Sequence, residues 1–181
     1  MEYVEEEIQD LVRRAQEGDQ DAVAALFECL STRIYRYLRL RVSNQEIAED
    51  LTQTVFVEML QALKRYKRES RTKFSTWLFQ IARFRLIDHY RKERPSIPIE
   101  DVPERAHPNL TVAPQEIDAG LVDKAIRRLP EKFQTVLHLR FREDLDPSEI
   151  ATVLGTSTIN VRVIQHRALK ALRAILERNE P

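Results

Sequence analysis

A chain of 181 residues with 43% hydrophobic content, only three glycines and a single cysteine has room for one domain or two small ones and little material for tight hairpins. Cys29 on its own excludes an intramolecular disulfide and a cysteine-built zinc site, and His89, His107, His138 and His166 lie far apart. No window approaches the roughly 20 apolar residues of a membrane span, and the acidic start MEYVEEEIQD lacks a signal-like apolar run, so the expectation is a cytoplasmic chain without membrane insertion.

The 29 Lys/Arg and 29 Asp/Glu cancel overall but are unevenly spread. Residues 1–60 hold 6 cations against 13 anions, 61–94 hold 11 against 3, 95–118 hold 1 against 5, and 119–181 hold 11 against 8. Two positive regions separated by a negative connector suggest one polyanion touched twice.

In chain order, Ile8, Leu11, Val12 and Ala15 predict a helix ended near Gly18. Asp19 is placed to cap a second, with Ala22, Val23, Leu26, Phe27, Leu30, Ile34 and Leu38 on its apolar side. SNQE at 43–46 reads as a capping box using Ser43 and Glu46, ahead of a third helix expected to turn Ile47, Leu51, Val55 and Met59 inward. A fourth is predicted over about 75–94, in a stretch where RTKFSTWLFQIARFRLIDHYRK sets the only tryptophan among cations and aromatics. There Trp77 reads either as core, with Leu78, Ile81 and Ala82, or as a stacking platform, while Phe74 and Phe84 read as exposed stacking candidates. Asp88 is expected to pair with Arg91 or Lys92.

Residues 95–118 carry five of the eight prolines and no helical period, which predicts a linker. Beyond it Leu121, Val122, Ile126 and Leu129 mark a first helix, and Pro130 suits the first turn of the next, EKFQTVLHLRF. Asp146, Pro147 and Glu149 then predict a capped short helix over 147–154, Gly155 a turn, and Thr156 or Ser157 the cap of a longer helix to about 177. Short helix, glycine turn and longer basic helix outline a helix-turn-helix. The fold class expected is therefore all-α, two small helical domains (1–94 and 119–181) joined by a flexible linker.

On the last helix Val161, Ile164, Ala168 and Leu172 form the inward stripe. Arg162, Val163, His166, Arg167 and Lys170 form the opposite one, with Thr158 and Asn160 in the first turn. Side chains of this kind in a major groove meet base edges and phosphates. A metal role for His166 is not expected, since no second ligand sits at ligand spacing on its face.

Both halves resemble the bacterial sigma factors, in particular the two-domain extracytoplasmic-function (ECF) group. AEDLTQTVFVEML (48–60) is similar to the family's polymerase-binding helix, D-L-x-Q-x-x-F; FSTWLFQIARFRLIDHYRK to its promoter-melting and -10-reading segment; and LPEKFQTVLHLRF with SEIATVLGTSTINVRVIQHRALKALR to its -35-reading domain. The resemblance implies that Asp50, Leu51, Gln53 and Phe56 dock on core RNA polymerase. It implies likewise that Arg65, Lys67, Arg68, Arg71, Lys73, Phe74, Trp77, Arg83, Phe84 and Arg91 hold the opened -10 strand of promoter DNA, where cationic grooves and aromatic faces bind single strands.

An anti-sigma protein is an implied partner, with the acidic N-terminus a contact, and neither cofactor nor catalysis is implied. Thr54, Phe84, Ile164 and Gln165 depart from the usual family residues, so promoter preference is not transferable. An autonomous helix-turn-helix regulator is the alternative, but it gives no reason for the basic aromatic segment. A nucleic-acid enzyme would need a phosphate loop, metal carboxylates or a nucleophile and base, and none stands out.

Overall fold

The computed structural model describes residues 4–42, 44–67, 72–93 and 121–177. Among them are eight helices and no strand, in an all-α architecture of two compact units, Met1–Pro103 and Glu104–Pro181. The stretch predicted as a linker lies outside the described residues.

The N-terminal unit packs α1 (Glu5–Gln16), α2 (Gln20–Arg39), α3 (Gln45–Leu63) and α4 (Phe74–Glu93). Ile8, Leu11, Val12 and Ala15 bury the inner face of α1, as their spacing predicts. Gly18, at φ +99, turns the chain where a side chain would be strained. Asp19 then caps α2, its Oδ1 accepting from the amides of Asp21 at 2.9 Å and Ala22 at 3.1 Å. Arg14 donates to the other carboxylate oxygen at 2.6 Å, and these bonds hold the Asp19 carboxyl below the usual range.

Helix α3 is rotated from its predicted aspect. Its buried residues are Ala48, Thr52, Val55, Phe56, Met59 and Leu63, while Ile47 and Leu51 are only half-buried. Small Ala48 and Thr52 let the helix approach its neighbours, and the Thr52 hydroxyl satisfies itself on the Ala48 carbonyl at 2.6 Å. Asn44 caps this helix, accepting from the Glu46 amide at 2.9 Å; Ser43, the predicted cap, lies outside the described residues.

Deep in the bundle Tyr37 and Phe79 meet edge to face with centroids 5.3 Å apart. The buried Arg41 guanidinium lies 3.7 Å from the Tyr37 ring centroid and donates to the Tyr37 carbonyl; the Tyr90 hydroxyl donates to the Arg41 carbonyl, pinning α4 to the end of α2.

The C-terminal unit contains α5 (Leu121–Ile126), α6 (Glu131–Phe141), α7 (Pro147–Leu154) and α8 (Thr158–Glu177). Helices α6 and α7 have the predicted bounds, although Pro130 takes the N-cap position rather than the first turn. The Asp146 carboxylate accepts from the amides of Ser148 at 2.6 Å and Glu149 at 3.0 Å, and Glu149 accepts from the Asp146 amide at 2.8 Å, completing the capping box. Gly155 ends α7 in the left-handed region at φ 61.

Ser157, not Thr156, caps α8, accepting from the Asn160 amide at 3.2 Å. Leu129, Leu137 and Ala168 form a core flanked by Ile126, Phe133, Ala171, Leu172 and Ile175. Leu129 lies past the end of α5, and Val122, expected inward, is exposed because this helix is too short to bury a full stripe. Among the described residues no helix is long and apolar enough to cross a membrane.

Candidate nucleic-acid interface

Trp77 is neither fully core nor fully exposed. Its ring packs within an aromatic triangle, 5.1 Å from Tyr66 and 5.2 Å from Phe74, which are themselves 5.1 Å apart and edge to face. Yet Trp77 is only half-buried, and with Arg65, Tyr66, Lys67, Thr72 and Gln80 it lines an open depression. An aromatic face rimmed by two cations and an amide has the elements of a site for a base and its phosphate.

Along α4 the residues Trp77, Gln80, Phe84 and Arg91 recur at i, i+3, i+7 and i+14, close to one line on the helix. Phe84 is 56% exposed and Arg91 exposed, so this line faces outward; Arg83 is half-buried at its edge. Lys73 is exposed just before the helix, while Arg68 and Arg71 lie outside the described residues.

Two predicted contact residues are corrected. Phe74 has no exposed surface and serves as the floor of the aromatic triangle, since the first turn of α4 points it into the bundle. Phe56 is 4% exposed, lying under Phe27 at a centroid distance of 4.8 Å, because the rotated α3 turns it inward. The exposed large apolar residues of α2 and α3 are Phe27, Val57 and Leu60. Asp50, Gln53, Val57 and Leu60 recur at i, i+3, i+7 and i+10 on α3; Asp50 and Gln53 are exposed and Leu51 is half-buried. Asp88 also differs from expectation, meeting Arg85 at 3.1 Å, while Arg85 holds Glu58 of α3 at 2.6 Å.

On α8 the outward stripe is as predicted for Arg162, Val163, His166, Arg167 and Lys170, all exposed. Thr158 and Asn160 are half-buried at its flanks, and the Asn160 amide donates to the Thr156 hydroxyl at 2.9 Å. Ile159, which sequence reasoning passed over, is 74% exposed and lies with Arg162, Val163, His166 and Arg167 around one shallow depression. Its position, one turn before Val163, was the available signal.

Burial pushes the half-buried Cys29 thiol up to about 11, so it is protonated at neutral pH. Among the described residues no cluster of His, Cys, Asp or Glu is suited to hold a metal.

The described residues thus present a helical unit with a cation-rimmed aromatic depression and a helix-turn-helix unit with a basic outward stripe. Residues 26–95 match the family described as Sigma-70 region 2, and residues 125–174 the family described as Sigma-70, region 4. The ECF RNA polymerase sigma factor ShbA of Streptomyces griseus is 36% identical over 182 residues, spanning 92% of this chain and 94% of that protein. The ECF RNA polymerase sigma factor BldN of Streptomyces coelicolor is 33% identical over 173 residues, spanning 92% of this chain and 65% of that longer protein.

Among solved structures, CnrH in complex with the cytosolic domain of CnrY shares the fold, with a TM-score of 0.64 at 21% identity over 95% of this chain and 98% of that one. The chain belongs to the ECF RNA polymerase sigma factors, initiation factors that direct promoter-specific transcription by RNA polymerase.

Proposed function

We propose that this sigma factor divides promoter reading between its two units. The N-terminal unit captures the opened -10 strand on the outward line of α4, and α8 reads the -35 element as duplex. The observation that carries the first assignment is the half-buried Trp77, braced from beneath by Tyr66 and Phe74 and rimmed by Arg65 and Lys67.

A braced ring loses little freedom when a base stacks on it, and such stacking contributes on the order of 1 to 3 kcal/mol per base. That offsets the few kcal/mol needed to take a base out of the duplex, so melting can be driven by binding alone. Phe84, seven residues on, continues the apolar line about 10 Å along the helix axis, with Arg83 and Arg91 near it to meet phosphates.

Arg162, His166 and Arg167 of α8 supply donors to base edges and phosphates, and Ile159 and Val163 supply apolar contacts suited to thymine methyls. Core polymerase is held on the outer side of α3, where Asp50 and Gln53 give polar contacts and Val57, Leu60 and Phe27 an apolar patch. An anti-sigma protein that masks one of these faces belongs to the same reading.

The test is binding of the purified chain to bacterial core RNA polymerase, followed by recovery of open complexes from a promoter-fragment library. Tight binding with a paired -35 and -10 motif is expected. Salt-sensitive duplex binding by the chain alone, with no affinity for polymerase, would instead establish an autonomous regulator.

A further inference from the structure

We infer that α1 is a positioning element for the Trp77 depression, and that Glu5, Gln9 and Gln16 set the selectivity with which it takes a base. The inference rests on the reading of that depression proposed above.

Three side chains of α1 reach both walls of the site. Gln16 spends its amide group on two carbonyls where α3 ends, those of Leu63 at 2.9 Å and Tyr66 at 2.8 Å. Gln9 donates to the Tyr66 hydroxyl at 3.3 Å and to Glu5 at 3.1 Å. The Tyr66 hydroxyl in turn donates to the Thr72 carbonyl at 3.0 Å, so one phenol ties together the two described ends of the α3–α4 connection. Burial pushes this phenol up, which keeps it a neutral donor at physiological pH.

Glu5 completes the frame by capping α4 from a distance, accepting from the Phe74 amide at 3.0 Å and the Ser75 hydroxyl at 3.1 Å. The residue before α4 is Lys73, whose side chain has no acceptor to offer the free amides of the first turn. The start of α4, one turn of which carries Trp77, is therefore held by a carboxylate 69 residues away.

Glu5, Gln9 and Gln16 fall at i, i+4 and i+11, a single polar stripe beside the buried one of Ile8, Leu11, Val12 and Ala15. Half-buried Arg13, one turn on from Gln9, spends its guanidinium instead on Asp10 at 2.7 Å and Glu17 at 3.2 Å, at the C-terminal end of its own helix. Freed from the polar stripe, Tyr66 and Trp77 would keep their aromatic packing but lose the fixed width between the two walls. The site would still stack bases and would distinguish them less.

The experiment uses holoenzyme reconstituted from the full chain and bacterial core polymerase. It is offered promoter fragments randomised at the -10 and -35 positions, and the recovered open complexes are sequenced. Gln16→Glu keeps the shape of the side chain and removes both donated bonds. The enrichment of preferred -10 bases should fall about five- to tenfold, with -35 enrichment unchanged and Arg13→Ala indistinguishable from the parent.

A purely structural role would lower the active fraction and scale all sequences alike, so equal losses at both elements, or none at either, overturn the inference. Should Gln16→Glu fail to fold by thermal unfolding, Gln9→Ala, which removes the bonds to the phenol and to Glu5 but leaves those of Gln16, is read in the same way. A parent chain that enriches neither element overturns the functional reading and the inference together, whereas a selective parent with unchanged variants overturns the inference alone.

Discussion

Helices α4 and α8 are both 20 residues long and both carry outward arginines, but their N-termini are held in opposite ways. Helix α8 starts after a glycine turn and is capped by Ser157 from within its own segment. Helix α4 follows a lysine and is capped by Glu5, on another helix. Their surroundings differ too: α8 buries one stripe, Val161, Ile164 and Ala168, whereas α4 buries most of its circumference, from Phe74 to Leu86. The helix proposed to read duplex has a free face and a local start. The site proposed to capture a strand sits at a junction of elements and depends on contacts far apart in sequence.

The sharpest way to break this comparison is to truncate the two phenylalanines of α4 that sequence treats alike. Phe74→Ala should cost about 3 to 5 kcal/mol in chemical denaturation, the expected loss for a fully buried ring. Phe84→Ala should stay within about 0.5 kcal/mol of the parent while weakening open-complex formation. Similar stability losses would mean that the outward line of α4 is misassigned.

Next in size, replacing both Arg162 and His166 by Ala should remove roughly 1 to 3 kcal/mol of discrimination at -35, measured as the affinity ratio between preferred and scrambled duplexes, without lowering polymerase affinity. The caps sharpen the contrast further. Glu5→Gln weakens a charged acceptor shared by three donors and should destabilise the N-terminal unit by about 1 to 2 kcal/mol, while Ser157→Ala should cost the C-terminal unit about 1 kcal/mol in the same thermal assay. Gly155→Ala belongs with the caps, at roughly 1 to 2 kcal/mol, because alanine is strained in the left-handed turn.

What sequence could reveal follows the same division. The bounds of α6 and α7 were legible because Asp146, Pro147, Glu149 and Gly155 act within a few residues of one another. The outward stripe of α8 was legible because its inward partner is apolar at regular spacing. The aspect of α3 was not, since Ile47 and Leu51 look more apolar than Ala48 and Thr52, and close packing favoured the smaller pair.

Phe56 was expected at a contact because of the family motif and Phe74 because it stands among cations, and neither signal carries burial, which depends on neighbours in space. Asp88 chose Arg85 over Arg91 because Arg85 is already oriented by Glu58 from α3. Nothing in the sequence sets Glu5, Gln9 and Gln16 apart from polar neighbours such as Glu6 and Glu7, and only their bonds across to α3 and α4 do so.

The central claim is that α4 takes opened strand and α8 takes duplex, and the most direct test is the affinity of reconstituted holoenzyme for a single-stranded -10 oligonucleotide. Trp77→Ala and Phe84→Ala should each weaken that binding about fivefold or more, and Arg162→Ala should leave it unchanged. If Arg162→Ala weakened single-strand binding as much as the α4 variants, or the α4 variants left it intact, the division of labour would be contradicted.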